Sequence, residues 1–426
     1  MNLHIKNGRL IDPSNGVDAL QDLYIADGKV ASAGRKPDAF VADQTIDASG
    51  FVVCPGLVDL SARLREPGFE YKATLESELM AAAAGGVTSL ACPPDTDPVL
   101  DEPGLVEMLK HRAKLLNTAH VYPLGALTRR LEGTQLTEMC QLTEAGCVGF
   151  SQAGRAVIDT RVVWRTLQYA ATFGFTVHLR PEDHYLAAEG VAHAGEVASR
   201  LGLTGIPSAA ETVALATLLR LARETGARLH LCRLSTAEGV DMVRAAKHEG
   251  LAISCDVSAN HLHLTEHDIG FFNANCRLTP PLRTQRDLAA LREGVRDGTV
   301  DAICSDHTPV DDDAKLEPFG EAEVGATGLE LLLPLTLKWA SDTHQPLVSA
   351  LARVTSAPAT VLGLNAGHLS PGVDADLCIF DPETYWKVEA GALRSQGKNS
   401  PFTGLEVAGK VRYTLLAGQT VYRNGH

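Results

Sequence analysis

The spacing of hydrophobic positions changes twice along the chain. Over residues 1–50, apolar residues alternate with polar ones in short runs, LHIKNGRLID and then DLYIADGKVASAG, broken at Asn7-Gly8 and Asp27-Gly28. Period-two alternation is the mark of a half-buried strand, and an Asn-Gly or Asp-Gly pair between two such runs predicts a hairpin. The same style returns near the end of the chain in DADLCIFDP and GKVRYTLLAGQTVYRNG. Between these ends the alternation gives way to continuous apolar runs: FVVCPGLVDL, VTSLACPP, AHVYPLGAL, CVGFSQ, FTVHLRP, RLHLCRL, LAISCDVSA and VDAICSDHTP. Strands buried on both faces read this way. Most are followed by a helical stretch, such as TLESELMAAAAGG, ETVALATLLRLARETG or RDLAALREGVRDG, often closed by glycine.

Strand–helix alternation on this scale predicts an α/β chain built as a (β/α)8 TIM-type barrel. The expected division is a barrel over residues 55–364 and a small β-rich module built from both termini, residues 1–54 and 365–426. A doubly wound open sheet is the alternative, but no G-x-G-x-x-G follows the first strand to favour it.

Composition narrows the function class. The formal net charge of −14 over 426 residues argues against a nucleic-acid binder, which needs a basic stripe. Nine cysteines occur singly with no C-x-x-C pair, the pattern of a reduced, cytoplasmic protein. MNLHIKNGRLIDPSNG lacks the charged leader and apolar core of a signal peptide, and no segment has 18 continuous apolar residues, so neither secretion nor a membrane span is expected.

In a barrel, chemistry gathers at the C-terminal ends of the strands. The residues expected there are Ser61, Arg63 and Arg65 after the first strand, and Pro94 and Asp95 after the second. Gln152 and Ala153 follow the fourth, His178 and Arg180 the fifth, and Arg233 the sixth. Asn260 and His261 follow the seventh, and Asp306 and His307 the eighth.

Read at these positions, the chain resembles the dihydroorotases of the amidohydrolase superfamily over essentially its whole length. GLVDLSARLREPG is similar to that family's G-L-V-D-x-H-x-H-L-R-E-P-G, and AAAAGGVTSLACPPDTDPV to its A-A-x-G-G-x-T-x-x-x-x-M-P-N-T-x-P. GFSQAGRAV lies where the family has a D-D-G loop, and CRLSTAEGVDMVR where it has C-H-x-S-T. CSDHTPVDDDAKLEPFGEA resembles its D-H-A-P-H loop, followed by GATGLELLLP. The resemblance implies a barrel with a small β-module from both termini, and zinc-dependent opening or closing of a cyclic amide.

The departures fall on the metal. Where the resemblance implies an H-x-H pair, whose side chains share one face of a strand, this chain has Ser61 and Arg63. The bridging carboxylate falls on Ala153 and the histidine before Ser-Thr on Arg233. Serine is a poor zinc ligand at neutral pH, and a guanidinium has no lone pair to give. Only His178 and Asp306 remain at implied ligand positions, too few for a catalytic zinc with three protein ligands. On the substrate side the carboxylate-binding arginine is kept as Arg65, while an asparagine becomes Asp95, facing an anionic substrate, and a histidine becomes Val310. No cofactor is expected, and Asp306, Arg65 and His178 are read as vestiges of a catalytic site.

These changes point to a catalytically inactive homologue. The resemblance implies a role for such chains as structural or regulatory subunits of aspartate carbamoyltransferase in de novo pyrimidine biosynthesis, within a larger hetero-oligomer. An altered, metal-free hydrolase on another cyclic amide is an alternative. An anion-binding regulatory pocket of Arg63, Arg65 and Arg233 is another. Arg63 or Arg233 is expected to stand in for the lost metal by pairing with Asp306, because a buried carboxylate without a cation is strongly destabilising. Arg65 has a local partner available in Glu66. His261, His263 and His267 read as loop and surface histidines, and Asp311–Asp313 as a solvated loop face. The loop Asp311–Gly325, with no substrate to close on, is expected to be mobile.

Overall fold

The computed structural model describes residues 1–156 and 158–424. Its first six strands are short: β1 (Asn2–Lys6), β2 (Arg9–Asp12), β3 (Val17–Leu20), β4 (Leu23–Ala26), β5 (Lys29–Ala33) and β6 (Gln44–Asp47). Asp27-Gly28 turns the β4–β5 hairpin as its sequence predicts. Asn7-Gly8 does not make a hairpin. It carries the chain from β1, which pairs with β4 and β6, to β2, which pairs with β3 and the next strand, β7 (Val52–Pro55). The pair turns the backbone, with Asn7 at φ 63°, but the alternating faces on its two sides are buried in different sheets.

FVVCPGLVDL is one apolar run and two strands. β7 belongs to the terminal sheet, and β8 (Leu57–Asp59) opens the barrel. Between them Gly56 passes so close to the second barrel strand that a Cβ there would lie 2.0 Å from Thr88 Oγ1. The barrel continues through β9 (Val87–Cys92), β10 (His120–Ala126), β11 (Gly149–Ser151) and β12 (Thr176–Leu179). A two-strand ladder, β13 (Ala192–His193) and β14 (Gly205–Ile206), interrupts it before β15 (Arg228–Leu231), β16 (Ile253–Ser258) and β17 (Ala302–Cys304).

The eight barrel strands are parallel neighbours in chain order, the order of a barrel and not of a doubly wound sheet. The last and first strands meet just beyond their C-terminal ends. There His307 N donates to Ser61 O at 3.1 Å, and Arg63 N donates to His307 O at 2.9 Å. The bonds that close the barrel therefore run through the same short segments that carry the expected site.

Two strands from the end of the chain, β18 (Leu377–Lys387) and β19 (Glu406–Leu416), with β20 (Gln419–Arg423), complete a six-stranded sheet with β7, β2 and β3. Its inner face and that of the four-stranded sheet share a core of Leu3, Ile5, Leu10 and Ile25 with Leu377, Ile379 and Leu415. Both termini thus contribute to one small core, as expected. Among the described residues no helix is long and apolar enough to cross a membrane.

Gly56→Ala forces a methyl group into Thr88. We expect it to destabilise the protein by about 1–3 kcal/mol, read as a lower urea midpoint at unchanged slope.

Candidate functional site

The strand ends bring together four charged residues from four strands. Arg233, just beyond β15, places Nη1 2.6 Å from Asp306 Oδ1, just beyond β17. Arg63, beyond β8, places its own Nη1 3.7 Å from the same oxygen. The Arg63 Nε donates to Asp95 Oδ2 at 2.7 Å, and its Nη1 donates to Thr308 Oγ1 at 3.1 Å. The expected pairing of Asp306 is found, and both arginines take part. The Asp306 and Arg233 side chains are only 9% and 7% exposed, so these are desolvated charges whose geometry matters far more than that of a surface pair.

Asp95 does not stand free toward a substrate, as the sequence reading has it. It is the second carboxylate of the cluster, and the Arg63 and Arg65 charges hold its carboxyl below the ordinary range despite burial. Arg65 does not pair with its neighbour Glu66, which instead accepts from Leu75 N at 2.7 Å and pairs with Arg112. The Arg65 Nε donates to Pro309 O at 2.8 Å, and among the described residues no carboxylate lies within ion-pair reach of it. Three cations and two carboxylates thus share the pocket mouth. Of the proposed arginine trio, Arg63 and Arg233 are already committed to aspartates.

The backbone around the cluster is held in an uncommon conformation. Arg65, Ala153, Arg233 and Asp306 have φ values of 62°, 54°, 56° and 48°. Non-glycine residues rarely adopt this left-handed region, and strained positions of this kind gather at functional sites. Four strand ends therefore keep a strained backbone although two of the four residues, Ala153 and Arg233, differ from the metal ligands that the resemblance implies.

His178 lies elsewhere. It is inside β12, directly beside His230 of β15, with ring centroids 5.0 Å apart. Burial and the neighbouring imidazole push its pKa well down. Gln152 is buried beside Thr128, whose Oγ1 donates to its Oε1 at 3.0 Å, and Val310 is packed with its N–H on Asn399 Oδ1 at 3.1 Å. Ser61 contributes its carbonyl to barrel closure. His261 and His263 face different carbonyls, those of Pro281 at 3.2 Å and Leu335 at 2.8 Å, and His267 is exposed. Asp312 and Asp313 are exposed, as read. The loop Asp311–Gly325 is tied down: Lys315 Nζ donates to Ala274 O at 3.0 Å and Glu323 O at 2.6 Å, and Lys72 pairs with Glu323.

One support residue, Glu78, had no signal in a single sequence. Glu78 accepts from Ser395 Oγ at 2.7 Å and meets His307 Nε2 at 2.6 Å, both fully buried. His307 Nδ1 accepts from Gly328 N at 3.0 Å. Glu78 is on the helix Leu75–Ala84, far in sequence from its partners, and only the fold brings them together.

Arg233→Met leaves Asp306 with the more distant Arg63 alone. We expect a loss of about 3 kcal/mol, most of it recovered in Arg233→Met with Asp306→Leu, measured by chemical denaturation as a double-mutant cycle. Stability should also fall in mild acid. Burial lowers His261 and His263 each to about 4, against about 6.5 unfolded. Below pH 6.5 the unfolded chain takes up protons that the folded one refuses, so each imidazole lowers stability by about 1.4 kcal/mol per pH unit down to its folded value. Asp59, raised by burial to about 6, acts in the opposite direction. Unfolding free energies of His261→Gln compared at pH 6.5 and 5 should show the shallower slope.

The comparisons with known proteins agree with this geometry. The family model described as Dihydro-orotase-like matches residues 50–239. The "Dihydroorotase-like protein" of Pseudomonas aeruginosa is 45% identical over 99% of this chain and 100% of its own length. The "Dihydroorotase" of Citrifermentans bemidjiense is 41% identical over 99% and 100%. Among solved structures, the L-hydantoinase (dihydropyrimidinase) of Arthrobacter aurescens superposes with a TM-score of 0.89 at 26% identity, covering 100% of this chain and 96% of that one. With relatives this similar over the full length, a barrel closed through the expected loops and sheets from both termini, the chain belongs to the dihydroorotase-like family of the amidohydrolase superfamily.

Proposed function

We propose that this chain is a dihydroorotase homologue without hydrolytic activity, acting as a structural or regulatory subunit of aspartate carbamoyltransferase in de novo pyrimidine biosynthesis. The observation that carries the first half is the Arg233–Asp306 contact of 2.6 Å, with Arg63 beside it. Zinc implied by the family does not fit the residues present. Ser61, Arg63, Ala153 and Arg233 offer no nitrogen or carboxylate donor, and two guanidiniums already face the one carboxylate a metal would use. Cations that close to a divalent ion repel it strongly in a desolvated pocket.

What these residues do instead is neutralise one another. Arg63 and Arg233 orient Asp306, and Asp95 holds Arg63. A carboxylate bound in this way has no activated water to deprotonate, so the general-base role has nothing to act on. The partner rests on the resemblance, which implies that non-catalytic chains of this kind assemble with the transferase. A second reading, an anion-binding regulatory pocket, draws support from Arg65, whose guanidinium has, among the described residues, only a backbone carbonyl as hydrogen-bond partner. A carboxylate or phosphate at Arg65 would use it without disturbing the two ion pairs.

Purification from the native cell, followed by mass determination and assay with dihydroorotate and with carbamoyl aspartate in added zinc, tests the proposal. We expect a stoichiometric complex with aspartate carbamoyltransferase and no turnover by this chain alone. Turnover at an enzyme-like rate overturns the inactivity, and a free monomer or dimer overturns the partnership.

A further inference from the structure

Beneath the charged cluster, His178, His230 and Cys232 each present a ligand atom, and these atoms lie within 4.8 Å of one another. His178 and His230 are inside their strands, and Cys232 is the first residue beyond β15. Arg233 and Asp306, by contrast, lie wholly beyond the strand ends. The trio therefore shares only His178 with the positions at which the family resemblance places a metal, and its other two donors, His230 and Cys232, are not among them. We propose that this trio is a second, structural metal site that takes a zinc ion through two imidazoles and a thiolate.

Three features support it. The first is the donor set: two nitrogens and one sulfur suit zinc's preference for borderline and soft ligands, around which donors stand roughly 3.3–3.8 Å apart in a tetrahedron. The gap between that spacing and the one present is within reach of side-chain rotation. The second is His178. The residue is 1% exposed, and among the described residues its Nε2 has no hydrogen-bond partner. A buried, unpartnered nitrogen requires a partner outside the protein atoms or a structural reason, and a bound ion would supply that partner here. The third is the outer support. His230 Nε2 meets Asp256 Oδ2 at 2.9 Å and its Nδ1 meets Ser254 Oγ at 2.8 Å. Whichever nitrogen takes the ion, the other keeps a partner that fixes the ring, as metal-bound imidazoles require.

Burial pushes the Cys232 thiol well up, so a bound ion has to displace its proton, but the neighbouring charges do not oppose this. The charged groups bearing on Cys232 are Asp256, Arg233, Asp306 and Arg180, two of each sign. Arg233 directs its guanidinium away to Asp306, and its backbone N–H donates to Asp256 Oδ1 at 2.7 Å. Binding exchanges the thiol proton for the metal and releases that proton to solvent, with no redox step. The ion would tie β12 to β15 beneath the ion pair.

The test uses the full chain purified without a metal-affinity step. We expect about one equivalent of zinc to survive dialysis, and cobalt(II) to bind with a near-ultraviolet sulfur-to-metal charge-transfer band. Cys232→Ser should abolish the band and weaken zinc binding at least tenfold. His178→Gln should weaken binding similarly and keep the band, and Cys140→Ser should change neither. Circular dichroism of each variant separates ligand loss from misfolding. Absence of retained zinc and of a cobalt band in the wild-type chain overturns the inference, as does a band that persists in Cys232→Ser. The inference does not depend on the proposed inactivity: that proposal fails in the turnover assay, and this one in the metal content.

Discussion

The arrangement at the strand ends depends on what neutralises Asp306. An isolated carboxylate in a desolvated pocket costs several kcal/mol, and a barrel that keeps the aspartate must supply a cation or lose stability. Here a guanidinium at 2.6 Å and a second at 3.7 Å supply it. A guanidinium is planar, permanently charged and rich in donors, so it neutralises the carboxylate and satisfies its lone pairs together. It also fills the space and the charge that a divalent ion would need. On the proposed reading, loss of metal chemistry and preservation of the barrel are two consequences of one set of residues.

The same reasoning explains why the exchange extends to Asp95. Two arginines on one aspartate would leave an unpaired positive charge close to Arg65, and the Arg63 Nε contact with Asp95 at 2.7 Å removes it. Arg63 therefore bridges two carboxylates, and Asp95 is explained by Arg63 rather than by any substrate. Read singly, each altered residue looks like erosion. Read as a cluster, Arg63, Arg233, Asp95 and Asp306 form a linked ion-pair network, in which removal of one member exposes the others.

Much of this was legible in the sequence, for identifiable reasons. Continuous apolar runs with helical stretches between them mark barrel strands because both faces are buried; seven of the eight runs each became one barrel strand, and FVVCPGLVDL was divided between the terminal sheet and the barrel. The pairing of Asp306 with arginine followed from charge alone. What stayed hidden was relational. Asn7-Gly8 has hairpin chemistry, yet which sheet receives each flanking strand is decided by burial elsewhere. Glu66 is adjacent to Arg65 in sequence, but left-handed backbone at Arg65 sends its side chain to Pro309 O and leaves Glu66 to Arg112. His230 and Glu78 carry no motif, and their importance appears only when parallel register sets His230 beside His178 and the helix Leu75–Ala84 delivers Glu78 to His307.

The barrel separates these relations into levels. Closure, through Ser61, Arg63 and His307, uses backbone atoms, so side chains at those positions can change without opening the sheet. Ion pairing uses side chains just beyond the strands, where no packed apolar layer constrains them. The imidazoles of His178 and His230 sit lower, within the strands, where the register and not the loops sets their positions. A chain can therefore exchange the chemistry of the upper level wholesale while the closure beneath it holds, because the two are carried by different atoms of the same residues. That division of labour between backbone and side chain lets a dihydroorotase-like barrel keep its shape while the charged residues at its strand ends pair with one another.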